Sequence, residues 1–310
     1  MRRLIAIALL TALFLSGCRA EPEPIPSVTT MPDIEPSDTT APSVTKPTST
    51  EPTATEPPPT ETEPPLTGWQ EIDGQRYFYS DEGIPLIGWL EQDGNRFYFR
   101  EDGTMARGKV VISDNETRYF TSTGKEVILV NPWNFVPDDY EVVLGKCKGW
   151  QVAAECVDDL KQMLSDCKAA GYSAVIVSAY RTHSYQANLY QHRIQRFIDQ
   201  GYSREKAEIE AAKRVAHPGT SEHELGLALD IVDESYQKLT TKQETTPAQQ
   251  WLMANCWRYG FILRYPSDKS HQTGIIYEPW HYRYVGKELA EELHDTGLCL
   301  EEYLDSLTID

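Results

Sequence analysis

The sequence predicts an α+β protein laid out in three successive segments, and three observations predict it. Residues 129–310 alternate irregularly between helical and strand patterns, which favours α+β over a regular parallel sheet. Residues 67–128 repeat a twenty-residue unit with hairpin character. Residues 19–66 are dominated by Pro, Thr, Ser and Glu and hold almost nothing to bury, so they are expected to be a disordered linker. A length of 310 residues suits about two folded parts.

The chain opens with Arg2 and Arg3 ahead of an apolar run, Leu4 to Leu15, too short to span a bilayer comfortably. The run ends Leu15-Ser16-Gly17-Cys18, which resembles a bacterial lipobox. That resemblance implies a signal peptide over 1–17, cleavage before Cys18 and lipid on its thiol. The mature protein would then be extracytoplasmic, anchored in the membrane by acyl chains. An ordinary secretion signal cut elsewhere is the alternative. Residues 18–66 read as a tether; in polyproline geometry it would reach ~150 Å, into the cell wall.

In the repeat, Gly68-Trp69 recurs as Gly88-Trp89 and Asp73-Gly74 as Asp93-Gly94. Tyr77-Phe78-Tyr79 recurs as Phe97-Tyr98-Phe99. A third copy runs from Gly108 through Tyr119-Phe120 to Gly124, with Lys109 in place of the tryptophan. Each unit reads as two aromatic strands around an Asp-Gly turn. One hairpin cannot cover its aromatic face alone, so the units should stack. The rhythm resembles choline- and glucan-binding repeats of Gram-positive surface proteins. It implies aromatic cages for choline or wall glycan, the former through cation–π attraction; a stacked spacer is the alternative.

With 29 Lys+Arg against 47 Asp+Glu, the net charge is -18. That excludes a nucleic-acid partner, because phosphate-backbone binding needs clustered bases. In 129–310 a helix is expected over 152–169 and a strand over 174–178. Residues 184–214 look helical, broken near Gly201. A strand over 225–232, a helix over 248–259, a strand over 282–285 and a last helix over 287–294 follow. Cys147, Cys156, Cys167, Cys256 and Cys299 lack the close CxxC spacing of a zinc site, and buried thiols or one disulfide both fit.

Three patches carry chemistry. They are Ser178-Ala-Tyr-Arg181-Thr182, Ser221-Glu-His223-Glu-Leu-Gly226-Leu-Ala228-Leu-Asp230, and Glu278-Pro-Trp280-His281-Tyr-Arg283. Two imidazoles and a carboxylate make a catalytic zinc set that leaves one position open, and a carboxylate outside that set can act as base. His223, Asp230 and His281 supply the ligands, and Glu278 the base. A guanidinium such as Arg181 suits a free C-terminal carboxylate, which it can grip with two parallel hydrogen bonds. Glu222 and Glu224 read as solvated neighbours of His223. His183, His192, His217, His271 and His294 read as ordinary polar positions, and Tyr282 as core.

SxHxxGxAxD followed by ExxH resembles the D-alanyl-D-alanine carboxypeptidases of the VanY type, in a group of zinc peptidases that includes lysostaphin and shares the hedgehog fold. The resemblance covers nearly all of 129–310, including Asn131-Pro-Trp-Asn. It implies an α+β zinc-peptidase domain with a small antiparallel sheet and flanking helices. One Zn²⁺ would sit on His223, Asp230 and His281, with Glu278 as general base. Arg181 would hold the substrate carboxylate or the oxyanion, and Gln186, Ser221 and Trp280 would line the substrate pocket. The implied activity is removal of C-terminal D-alanine from peptidoglycan stem peptides. Cleavage of tetrapeptides after an L-centre, cross-link endopeptidase action and a non-catalytic wall-binding or adhesin role are the alternatives.

Overall fold

The computed structural model describes residues 65–114 and 116–308. The expected signal peptide, the lipidation site at Cys18 and most of the tether lie outside them. Among the described residues, no helix is long and apolar enough to cross a membrane.

The repeats fold as three antiparallel hairpins. β1 (Gly68–Ile72) pairs with β2 (Gln75–Tyr79), β3 (Gly88–Gln92) with β4 (Asn95–Phe99), and β5 (Gly108–Ser113) with β6 (Glu116–Phe120). In the first two, Asp and Gly both take positive φ (51° and 75°; 51° and 72°). That is the conformation a two-residue hairpin turn requires. Backbone bonds stitch copy to copy, from Met105 N to Arg76 O at 2.8 Å and from Glu126 N to Arg96 O at 2.7 Å. Trp69, Phe78, Phe97 and Phe99 pack together with Met105. The outer face of each indole carries a guanidinium, Arg76 over Trp69 at 4.5 Å and Arg96 over Trp89 at 4.2 Å.

The third hairpin docks on the C-terminal helices. Tyr119, Val127 and Leu129 share a core with Leu289, Leu293, Leu300, Tyr303 and Leu304. A Cβ on Gly108 would fall 2.5 Å from the backbone nitrogen of Thr308. Thr308 Oγ1 in turn accepts from Lys109 N at 3.0 Å. The copy that lacks the tryptophan is thus the one whose outer edge meets the chain end.

The remainder is α+β, as expected. β7 (Leu144–Cys147) and β8 (Trp150–Ala153) form a hairpin, followed by α1 (Val157–Ala169) and β9 (Ala174–Ser178). Then come α2 (His183–Asp199), α3 (Arg204–Ala212), β10 (Ala228–Asp233), α4 (Pro247–Asn255) and β11 (Phe261–Leu263). The short α5 (Ser270–Thr273), β12 (His281–Tyr284), α6 (Lys287–Thr296) and α7 (Leu300–Ser306) complete the chain. The sheet is antiparallel in the order β11-β12-β10-β9. β10 is buried along its whole length. Leu160 and Met163 of α1 share its core with Leu229, Ile231, Phe261 and Tyr282.

Three expectations need correction. The helix placed over 152–169 starts only at Val157, because Lys148 and Gly149 turn the chain with positive φ and make 144–153 a hairpin. Lys-Gly is a weak turn signal beside Asn-Gly or Asp-Gly. The strand placed from Leu225 starts at Ala228, since Glu222–Leu225 is a single 3₁₀ turn ended by Gly226. The helix over 287–294 is not the last; α7 is only seven residues long, too short to show a period. All five described cysteines are free and buried, which answers the pairing question for them.

Candidate active site

Sheet register gathers the site. On the central strand β10, Asp230 lies directly opposite His281 of β12 on one side and Ser178 of β9 on the other. Glu278 sits one short turn before β12, where His281 N donates to its carbonyl at 3.0 Å. His223 comes from the 3₁₀ turn that leads into β10. Gly226 ends that turn at φ 73°, and an added Cβ would meet Ala153 N and Val142 Cγ2 at 3.0 Å each. Only glycine lets the turn close against β8.

His223, Asp230 and His281 are all buried, with ligand atoms within 4.8 Å of one another. Asp230 Oδ1 stands 3.4 Å from His223 Nε2 and 3.3 Å from His281 Nδ1. Each imidazole spends its other nitrogen elsewhere. His223 Nδ1 is 2.8 Å from the Ala179 carbonyl, and His281 Nε2 is 3.4 Å from Glu222 Oε2. A carbonyl can only accept, so Nδ1 of His223 carries the proton and Nε2 is free to ligate. A carboxylate fixes the opposite tautomer in His281. Two imidazoles, each oriented by a second partner, and one carboxylate match the donor set that zinc takes in catalytic sites, where binding the metal would displace the proton of His281.

Glu278 Oε2 lies 3.8 Å from His281 Nδ1. Burial pushes its carboxyl up to about 7, against the pull of His281. Burial brings His223 down to about 4. It acts the same way on His281, but bonds to Asp230 and Glu222 outweigh it and raise that imidazole to about 9. Asp230 is held well below the carboxylate range because His223, His281 and Arg181 overcome the cost of its burial.

Arg181 leaves the end of β9 and folds back. It donates to Asp230 Oδ2 at 2.9 Å, to Ser178 Oγ at 2.9 and 3.1 Å, and to Gln186 Oε1 at 3.3 Å. Gln186 is fully buried and anchored to the Ala216 carbonyl at 2.8 Å. It therefore holds Arg181 and is absent from the cavity wall. Ser221, Trp280, Glu278 and Arg181 all line a cavity of about 380 Å³ together with the three candidate ligands. Tyr282 is core, with its hydroxyl donating to Gln249 at 2.6 Å.

Glu222 and Glu224 are not solvated neighbours. The Glu224 side chain is nearly covered and bonds to Gly219 N and to His183. Glu222 is 1 % exposed. It accepts from Arg264 at 2.7 Å and from Arg283 at 3.1 Å, besides facing His281. Arg264 grips Glu301 with two bonds, at 2.6 and 2.8 Å, and Asn131 donates to Glu301 at 3.0 Å. Asn134 follows from Asn131 at 2.8 Å, and Tyr119 of β6 from Asn134 at 2.7 Å. A continuous, largely buried polar chain thus runs from a candidate ligand to the third repeat. Its one sequence signal was the Asn131-Pro-Trp-Asn patch, which has no meaning until its partner is known.

Comparison with known proteins places this geometry. The family model described as VanY: D-alanyl-D-alanine carboxypeptidase matches residues 149–287, and that of a choline-binding repeat matches 86–133. A D-alanyl-D-alanine carboxypeptidase of Enterococcus faecalis is 37% identical over 204 residues, which covers 63% of this chain and 74% of that protein. A solved VanYB in complex with D-alanine-D-alanine is 39% identical, covers 58% of this chain and 97% of its own, and superposes with a TM-score of 0.53. A VanY D,D-pentapeptidase from a VanB-type vancomycin-resistance cassette, in complex with Zn(II), gives 39% identity and a TM-score of 0.52, with 57% and 97% covered. By sequence and by fold, the chain belongs to the VanY family of D-alanyl-D-alanine carboxypeptidases.

Proposed function

We propose that this chain is a zinc-dependent carboxypeptidase that removes the C-terminal D-alanine from peptidoglycan stem peptides. The observation that carries the reading is the buried triangle of His223, Asp230 and His281, with Glu278 beside it and an anchored Arg181 above. His223 Nε2, an Asp230 oxygen and His281 Nδ1 would hold the zinc. When bound, zinc polarises the scissile carbonyl and makes water a better nucleophile near neutral pH. Glu278, 3.8 Å from His281 Nδ1, takes the proton of the attacking water as its oxygen joins the carbonyl carbon. It returns that proton to the departing amine of D-alanine as the C–N bond breaks. Arg181 offers its one uncommitted N–H, on Nη1, to the oxyanion or to the terminal carboxylate. Its anchors keep it in place before substrate arrives. Ser221 and Trp280 shape the pocket around the terminal residues.

The wall context supports the same reading. Residues 67–128 would hold the chain to choline or wall glycan, and Cys18 would carry the lipid that keeps it outside the cell membrane. Changing Cys18→Ser should release the protein from the membrane into the medium. The main reading is tested by mass spectrometry of synthetic stem peptides incubated with the zinc-loaded full chain, with and without chelator. Loss of one alanine that stops on chelation is the expected result. No such loss from any pentapeptide, by protein that holds zinc, would overturn it in favour of tetrapeptide or cross-link cleavage.

A further inference from the structure

The part of the cavity lining that comes from α2 and the segment after α3 is basic, in a chain that carries 47 acids against 29 bases. Leu189, His192, Arg193 and Arg196 of α2 follow one another at the spacing of a single helical face, and all four line the cavity. Arg214, just beyond α3, lines it as well. Arg181, which lines the same cavity, is tied to Asp230 and Ser178. In contrast, among the described residues the side chains of Arg193, Arg196 and Arg214 have no ion-pair or hydrogen-bond partner. Arg193 is half-buried, whereas Arg196 and Arg214 are exposed. Partial burial, then the charges of Arg196 and Arg214, hold the Arg193 guanidinium below its ordinary value, opposed by Glu278. Like charges gathered on one concave wall oppose folding, and among the described residues only the more distant Glu278 acts against them, on Arg193.

We infer that Arg193, Arg196 and Arg214 form an anion-binding subsite that takes a carboxylate of the stem peptide outside the terminal D-alanyl-D-alanine unit. This rests on the carboxypeptidase reading and adds to it what the rest of the substrate must carry. The scissile end is served by Arg181, held next to Asp230. The peptide leads away from it toward the exposed guanidiniums, whose planar forks suit a carboxylate. Two stem carboxylates have the required chemistry: the α-carboxylate of a γ-linked glutamate, and the second carboxylate of a diamino-dicarboxylic residue. Amidation of that group would remove the charge and leave the shape, so the subsite would discriminate between amidated and free-acid walls.

Calorimetric binding of stem tetrapeptides to the zinc-loaded full chain tests this without depending on turnover. Three peptides suffice: the free acid, one amidated at the glutamate α-carboxylate, and one amidated at the diamino-acid carboxylate. One of the two amidations is expected to weaken binding about tenfold, the scale of one charge-assisted bond, and which one does so identifies the group bound. The ratio should fall toward one in Arg196→Gln/Arg214→Gln. In the unsubstituted protein it should shrink between about 0.05 and 0.5 M salt, because exposed charges are screened. Equal affinity for all three peptides, or a ratio that the double variant and salt leave unchanged, would overturn the subsite. Failure of the carboxypeptidase reading would show separately, as pentapeptides that bind with this discrimination but release no D-alanine.

Discussion

The repeat module and the peptidase domain solve the burial problem in opposite ways. From first to third hairpin, the second strand passes from half-buried throughout (β2) to two buried residues (β4) and then three (β6). Each copy borrows cover from the next, and the last borrows it from α6 and α7, as stacked repeats do. The peptidase domain instead buries charge. Arg264 and Arg283 are among its largest fully buried side chains, both on Glu222. Half-buried aromatic contacts can be lost one at a time, whereas a buried ion network fails when one partner is removed.

Four experiments would sharpen or break that contrast. The largest effect belongs to the site itself. Glu278→Gln should lower kcat about a thousandfold while zinc content, read by metal analysis, stays at one per chain. Next, Glu222→Ala should cost about 3–5 kcal/mol of stability in urea unfolding, because two buried guanidiniums lose their shared carboxylate. Glu222→Gln keeps the shape but not the charge that Arg264 and Arg283 share, so it too should be destabilised, with zinc affinity weakened by about 10- to 100-fold in competition with a chelator. A network that tolerated both changes would remove the distinction between the regions.

Third, truncation should be tolerated in the repeats only up to a point. A chain starting at residue 107 should melt within a few degrees of one starting at 65, whereas a chain starting at 129 uncovers Leu289, Leu293, Leu300 and Leu304. At about 1.5–3 kcal/mol per fully exposed side chain, even partial exposure of four should lower Tm visibly. Within the repeats, alanine at Phe99, fully buried, should cost about 3–5 kcal/mol, and at the matching half-buried Tyr79 clearly less.

The smallest effect concerns acid. Burial raises the Glu301 carboxyl, but Arg264 and its two hydrogen bonds more than reverse that, leaving it below its ordinary 4.5. A carboxyl lowered on folding adds stability that is complete above the ordinary value and lost as pH falls through the folded one. The Tm of the unsubstituted protein should therefore decline below about pH 4.5 more steeply than that of Glu301→Gln. Equal slopes would mean that Glu301 takes no part in the acid response.

What the sequence disclosed followed the same division. The hairpins were readable because their signals are local: Asp-Gly at fixed spacing, with aromatics alternating around it. The three candidate ligands and Glu278 were readable because a zinc site needs particular residue types in short motifs. Glu222 lay within one of those motifs and was still misread, since its meaning depends on Arg264 and Arg283, some 40 and 60 positions away. Gln186 was assigned to the pocket wall, but a helix start at His183 turns it inward to brace Arg181. The basic face of α2 is silent in the sequence because a charge on a helix says nothing until the cavity beside it is known.

The docking of the third hairpin also removes a joint. Lys125 on Glu288, Ser122 on Glu292 and Tyr303, and the shared leucine core leave little freedom between β6 and α6. A wall ligand seized by the repeats would therefore set the heading of the cleft as well as its address. Stem peptides would meet it from a restricted range of angles. Such an enzyme would work along the wall polymer like a plane on a board, and the spacing of stems on the glycan would govern how many it can reach from one foothold.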